Sequence, residues 1–275
     1  MVWVLSAQLK HPKASPLTTI DQEVGLTSIK IEYSRPAVRG RTIFGDLVPY
    51  GRIWRMGANA STKITFESDV TILGNLLAKG TYALYAFPEA DEWEIVFHNN
   101  LSHWGDGRAN YDRNEDALRV EVIPENSKSF QENFLIVFDK INHNSLNLLL
   151  RWENTEINIP IKIDTDSLME AEIELGLADN PTAQTYYEAA RYYQEQNIKS
   201  ETALQYLKKA IKIGGDTYYF HRVKSLVEAR LGDYQAAIYS AKESKDLAAK
   251  EGKDEFVRMN DKNIVLWKEK LLNQH

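Results

Sequence analysis

The chain contains no cysteine, which excludes disulfides, thiolate nucleophiles and every thiolate-ligated metal centre. It has no apolar run near the ~18 residues a membrane helix needs. It carries no Gly-x-Ser-x-Gly elbow, no His-Glu-x-x-His and no glycine-rich phosphate loop, so no ready-made catalytic signature is present. Excess positive charge is missing too. With 33 Lys and Arg against 39 Asp and Glu, the formal net charge is −6, which argues against a large nucleic-acid footprint. None of these patterns calls for a cofactor.

What is present suits a soluble protein of more than one domain. At 275 residues the chain exceeds the usual single-domain length of roughly 100–200. Its 43% hydrophobic and 26% charged residues supply an ordinary core and surface. Met1-Val2-Trp3-Val4-Leu5-Ser6-Ala7 is apolar and ends in small residues before Gln8. It reads as the tail of a secretory signal, with Leu5 and Ala7 at the −3 and −1 positions of a cleavage site. The expectation is a periplasmic or secreted protein, with a cytoplasmic one as the alternative.

From Ile29 to Ile163 the hydrophobic pattern has a period of two. Ile29–Tyr33, Lys63–Glu67 and Asn158–Ile163 alternate, and Thr81–Phe87, Trp93–Phe97, Leu118–Ile123, Phe134–Phe138 and Leu146–Trp152 are rich in β-branched and aromatic residues. Short strands bounded by turn residues predict an antiparallel β-sandwich or jelly roll over residues 8–164. At Asp164 the period becomes helical. Ser167-Leu168-Met169-Glu170 fits a capping box, and Asn180-Pro181 a cap followed by proline. An all-helical domain is expected over residues 165–275.

These helices repeat. A shift of 34 residues lays Ala203-Leu204 on Ala237-Ile238, Leu207 on Ala241 and Tyr193 on Val227, and 34 is the tetratricopeptide period. Leu231-Gly232-Asp233-Tyr234-Gln235-Ala236-Ala237 resembles that family's inter-helix turn. The resemblance places Arg191 and Ser225 at a small-residue position, where Arg191 is a departure. Nine of the fourteen tyrosines lie in this half, as packing between repeats or as a surface for a protein partner.

The segment from Tyr33 to Asn59 is an exception in an acidic chain. Arg35, Arg39, Arg41, Arg52 and Arg55 fall within 21 residues among glycine, proline and aromatics, with Asp46 the one acid. Guanidinium forks suit carboxylate, phosphate or sulfate; they also hold loops together by binding carbonyls while their stems cover aromatic rings. Pro12–Pro16, Tyr33-Ser34-Arg35-Pro36, Gly40-Arg41, Trp54–Asn59 and Gly80-Thr81-Tyr82, with Trp93-Glu94-Ile95, Trp104-Gly105 and Tyr111, resemble the domain-of-unknown-function 2911 family from His11 to Ile163. Lys13 stands where that pattern leads one to expect arginine. The resemblance implies an exported β-rich domain, sometimes with a helical repeat tail, and brings no reaction. Together these residues mark Arg35, Arg39, Arg41, Trp54, Arg55, Asn59 and Tyr111 as the expected site for an anionic small molecule or glycan.

His98 and His103, near Trp104 and Asp106, with His143 on a later turn, raise the question of a metal. Five residues apart, His98 and His103 fit neither a strand face nor a helical i,i+4 pair, and the stretch reads as a loop. No metal is assigned. Two competing classes remain: an envelope hydrolase using Arg55 with Tyr111 or His98 in one cleft, and a scaffold acting through the repeat groove.

Overall fold

The structure is a computed structural model that describes residues 11–103, 105 and 108–273; the signal-like segment 1–7, Trp104 and Asp106 lie outside the described residues. The chain divides into two units, Met1–Met169 and Glu170–His275.

Among the described residues the first unit contains ten strands: β1 (Leu17–Val24), β2 (Thr27–Ser34), β3 (Thr62–Phe66), β4 (Val70–Ile72), β5 (Asn75–Leu77), β6 (Gly80–Pro88), β7 (Trp93–His98), β8 (Asp116–Val122), β9 (Glu125–Asp139) and β10 (Ser145–Ile163). They build a six-stranded sheet ordered β1-β2-β3-β6-β7-β8 and a four-stranded sheet ordered β5-β4-β10-β9. Every pair is antiparallel. The alternation read from the sequence is the alternation of burial: Ile29, Ile31 and Tyr33 of β2 meet Ile136, Leu148 and Ile159 of the other sheet in one core. β6 and β7 are apolar on both faces because a second cluster, Ile53, Ala83, Tyr85 and Val96, covers the outer face, with Tyr111 against it.

The segments Leu146–Trp152 and Asn158–Ile163 are one strand, not two. Leu146, Leu148, Leu150 and Trp152 face inward at even positions, then Ile157, Ile159, Ile161 and Ile163 at odd ones. Register shifts on both sides of Glu153, whose φ is 53°, absorb the change. An irregularity at a period of two exchanges the faces.

The helical pattern begins where it was expected, after Asp164, but its cap differs. α1 (Thr165–Ala178) starts on Asp164, whose carboxylate accepts from the Ser167 N–H at 3.1 Å and the Ser167 hydroxyl at 2.8 Å. Ser167 is thus a donor inside the first turn rather than the cap. Asp164 is the better acceptor because its charge also opposes the positive end of the helix.

The second unit holds α2 (Ala183–Gln196), α3 (Ser200–Ile213), α4 (Tyr218–Arg230), α5 (Tyr234–Lys250) and α6 (Asp254–Leu272). Each packs on the next, and α2 and α6 also reach α4. Thr182, not Asn180, caps α2, in a reciprocal box with Thr185. Thr217 caps α4, 35 residues later, whereas α3 and α5 start 34 apart at Ser200 and Tyr234. In the first helix of each pair the equivalence is therefore 35, which sets Ala190 on Ser225, both fully buried. Arg191 is not at the small position; it turns outward to Glu195 at 2.7 Å. Most tyrosines here pack: Tyr187 stacks on Phe220 at 4.5 Å, Tyr193 on Tyr206 at 6.2 Å, and Tyr218 meets Phe256 edge-on. Tyr239 is exposed.

Candidate functional site

The connection from β2 to β3, residues 35–61, is too polar and glycine-rich to form a strand, so it folds by borrowing partners. Trp54 and Ala86 exchange backbone hydrogen bonds of 2.8 and 2.9 Å, pinning the loop to β6. The Val38 N–H donates to the Glu132 carbonyl, and the Phe134 N–H to that of Pro36, pinning it to β9. The Trp54 indole stacks on Trp152 at 5.8 Å and sits edge-on to Phe44 and Trp93. Gly57 is required: at φ 151° a Cβ would stand 2.9 Å from the Ser34 carbonyl.

This loop encloses a pocket of about 300 Å³ lined by Arg39, Arg41, Trp54, Arg55, Gly57 and Ala58, with Trp152 contributed by β10. No carboxylate lines it among the described residues. Two N–H donors of these lining residues, Arg55 Nε and Trp152 Nε1, are buried without an acceptor. Of the arginines expected at the site, Arg41 is partly structural, its Nε and a terminal nitrogen donating to the Val38 and Ala37 carbonyls at 2.9 and 2.6 Å. Arg39 donates from a terminal nitrogen to the Ala14 carbonyl at 3.3 Å.

The remaining expected residues lie elsewhere. Arg35 Nε donates to the Phe134 carbonyl at 3.0 Å, and the Asn59 amide donates to the Ser15 carbonyl and Ser34 hydroxyl; neither lines the pocket. Tyr111 belongs to a different constellation on the outer face of the six-stranded sheet. It packs parallel to the His98 ring at 5.0 Å and donates to Asp116 at 2.7 Å. Burial, then the Asp116 carboxylate, pushes its phenol well above the ordinary tyrosine range. Arg119 donates to Asp116 at 2.9 Å and Glu94 at 2.6 Å; burial opposes its charge, but those carboxylates and Tyr111 more than offset this and hold it protonated.

His98 and His103, both buried, gather with Glu115, their ligand atoms within 4.8 Å of one another. Sequence spacing missed this cluster because Glu115 arrives on a 3-10 turn, Arg113–Glu115, and His103 folds back from a loop. His143 is not part of it; its carbonyl accepts from the Thr165 hydroxyl. The cleft that a hydrolase reading required does not form from the expected set: His98 and Tyr111 are together, but neither shares the pocket lined by Arg55.

Residues 15–161 match the family model described as protein of unknown function (DUF2911). No curated protein matches the chain.

Proposed function

The chain belongs to the DUF2911 family of proteins of unknown function, and we propose that its β unit binds a small anion, a phosphate, sulfate, carboxylate or acidic sugar, in the pocket of Arg39, Arg41 and Arg55. The observation that carries this reading is the pair of buried, unpartnered N–H donors at Arg55 and Trp152. A buried donor without an acceptor costs about 1–3 kcal/mol. An anion that reaches both groups would recover that cost and meet charge-assisted hydrogen bonds from the guanidinium forks. The stacked Trp54 and Trp152 rings give it a rigid apolar wall, the usual composition of a small-molecule site.

In the same reading the second unit is a tetratricopeptide-type tail, which the caps spaced 34 and 35 residues apart support, and it offers its grooves to a protein partner. The exported compartment belongs to the proposal as well, and sequencing the mature N-terminus tests it.

Ligand-dependent melting tests the pocket. An anion at 100 times its dissociation constant stabilises by about 2.7 kcal/mol, a shift of several degrees for a unit of this size. Phosphate, sulfate or a uronic acid is expected to raise the Tm of wild type and of an Arg52→Ala control. An Arg55→Met/Trp152→Phe variant should lose the shift while melting normally without ligand. Equal shifts in all three proteins would make the arginines structural.

A further inference from the structure

We propose that His98, His103 and Glu115 bind one divalent transition-metal ion of the zinc class, at a site that shares no residue with the arginine-lined pocket.

The sequence builds the cluster from three pieces. His98 is the last residue of β7, opposite Ala83, whose small side chain leaves room for an imidazole on the outer face. His103 comes from the following loop and lies with its ring centroid 5.4 Å from that of His98. Glu115 closes the 3-10 turn before β8, its carboxylate held by the Asn100 amide at 3.1 Å. Tyr85, edge-on at 5.6 Å, and Tyr111 pack against the His98 ring and fix its orientation.

The hydrogen bonds decide which nitrogen of His98 is available. The Asp116 carboxylate accepts from the Tyr111 hydroxyl and the Arg119 guanidinium. With two donors of that strength beside it, Asp116 remains an acceptor toward its third partner, His98 Nδ1, at 2.9 Å. Nδ1 therefore carries the proton, and in the neutral ring Nε2 presents a lone pair. That Nε2 and His103 Nδ1 are both buried without a hydrogen bond. Buried imidazole nitrogens left without partners in a cluster with a carboxylate are costly unless something binds there.

A cation meets the requirement. A tetrahedral ion with bonds of about 2.1 Å places its ligands roughly 3.4 Å apart, and His98 Nε2 already stands 3.4 Å from Glu115 Oε2. A carboxylate on the far nitrogen of a ligating histidine is the usual support of such sites, and Asp116 fills that role as a positioning residue. Two nitrogens and one oxygen select zinc, iron or cobalt over magnesium or calcium, which take oxygen. Three protein ligands leave one position open, and the half-exposed Glu115 side chain provides the way in. The alternative, an imidazolium clamped between Glu115 and Asp116, leaves His103 Nδ1 unexplained.

The test is metal uptake by the full-length protein after chelation. Wild type should take up one Zn²⁺ per chain, melt higher with it, and give visible d–d bands with Co²⁺. His103→Ala and Glu115→Gln should bind at least tenfold more weakly and keep their metal-free Tm; the exposed Glu115 keeps the test valid if His103→Ala misfolds. Asp116→Asn should lose roughly 10–100-fold in affinity and shift the Co²⁺ bands. Arg55→Met/Trp152→Phe should bind Zn²⁺ as wild type does, so the two proposals fail separately. Zn²⁺ binding equal in wild type, His103→Ala and Glu115→Gln, no uptake by wild type, or Mg²⁺ competing at equal concentration would each overturn the assignment.

Discussion

In the helical unit the fully buried Ser240, Ser244 and Asn260 all have partners. Ser240 donates to Glu228 at 2.6 Å and accepts from Lys224 at 2.8 Å; Asn260 donates to Ser244 and accepts from Arg222; Ser244 donates to the Tyr218 carbonyl. Among the described residues His221 Nδ1 is the exception there. In the β unit, buried polar atoms without partners include Arg55 Nε and Trp152 Nε1 at the arginine-lined pocket and His98 Nε2 and His103 Nδ1 at the histidine cluster, with Arg119 Nε, Thr27 Oγ1 and Asn144 Oδ1 outside both. Native proteins pair nearly all such groups, so under the two proposals the contrast separates polar residues that hold a fold together from polar residues that a ligand would complete.

Breaking the satisfied network should have the largest effect. Glu228 is 4% exposed and pairs with Lys224 at 2.7 Å as well as with Ser240. Glu228→Ala takes the carboxylate from Lys224, whose side chain is 17% exposed, and from the Ser240 hydroxyl, leaving them only their bond to each other, and about 2–3 kcal/mol of stability should be lost, read as a lower urea midpoint in the helical signal. Glu228→Gln keeps an acceptor for Ser240 and should cost less. A loss under about 1 kcal/mol for the alanine variant would show that the network is not what holds α4 to α5.

The two units share one device, and pH tests it. Tyr193 donates to Glu170 at 2.9 Å and Tyr111 to Asp116 at 2.7 Å. Burial first, then the carboxylate, raises both phenols above their ordinary value. A raised tyrosine contributes stability that is fully present below the unfolded pKa, about 10, and is lost as pH rises toward the folded one. Stability should therefore fall above about pH 10. Tyr193→Phe should cost about 1–2 kcal/mol at neutral pH and flatten that alkaline decline. Parallel pH–stability curves for variant and wild type would rule the device out.

How far the sequence carries depends on whether a feature is local. Alternation in Ile29–Tyr33 and the change of period at Asp164 are properties of neighbouring residues, and the two-unit layout follows from them. The arginine cluster was legible as composition, and three of its members do line one pocket. Trp152, about a hundred residues on, was not legible, because only the register of β10 brings it beside Trp54. The histidine cluster was hidden for the same reason: spacing rules describe a single strand or helix, whereas Glu115 joins from another element. The caps failed differently. Ser167 and Asn180 satisfy the pattern, but Asp164 and Thr182 offer their oxygens to the right amides, a choice between neighbours that the pattern does not rank.

The smallest effect on stability is expected where the comparison is sharpest, at Trp152. Its side chain is 2% exposed and packs on Trp54, Phe44 and Phe134, so truncation to alanine would cost about 3–5 kcal/mol. Phenylalanine keeps much of the ring contact and removes the one polar atom that has no partner. Lost volume costs the fold something, while deleting an unsatisfied donor returns about 1–3 kcal/mol. The two nearly cancel, and Trp152→Phe should unfold within about 1 kcal/mol of wild type. Were Nε1 satisfied as the groups around Ser240 are, the same substitution would lose a hydrogen bond and the packing together. A near-zero change in stability, with anion-dependent stabilisation lost, marks the indole N–H as a group held for a ligand; a loss of 2 kcal/mol or more, roughly the worth of a buried hydrogen bond plus packing, would place it with the structural polar groups of the helical unit.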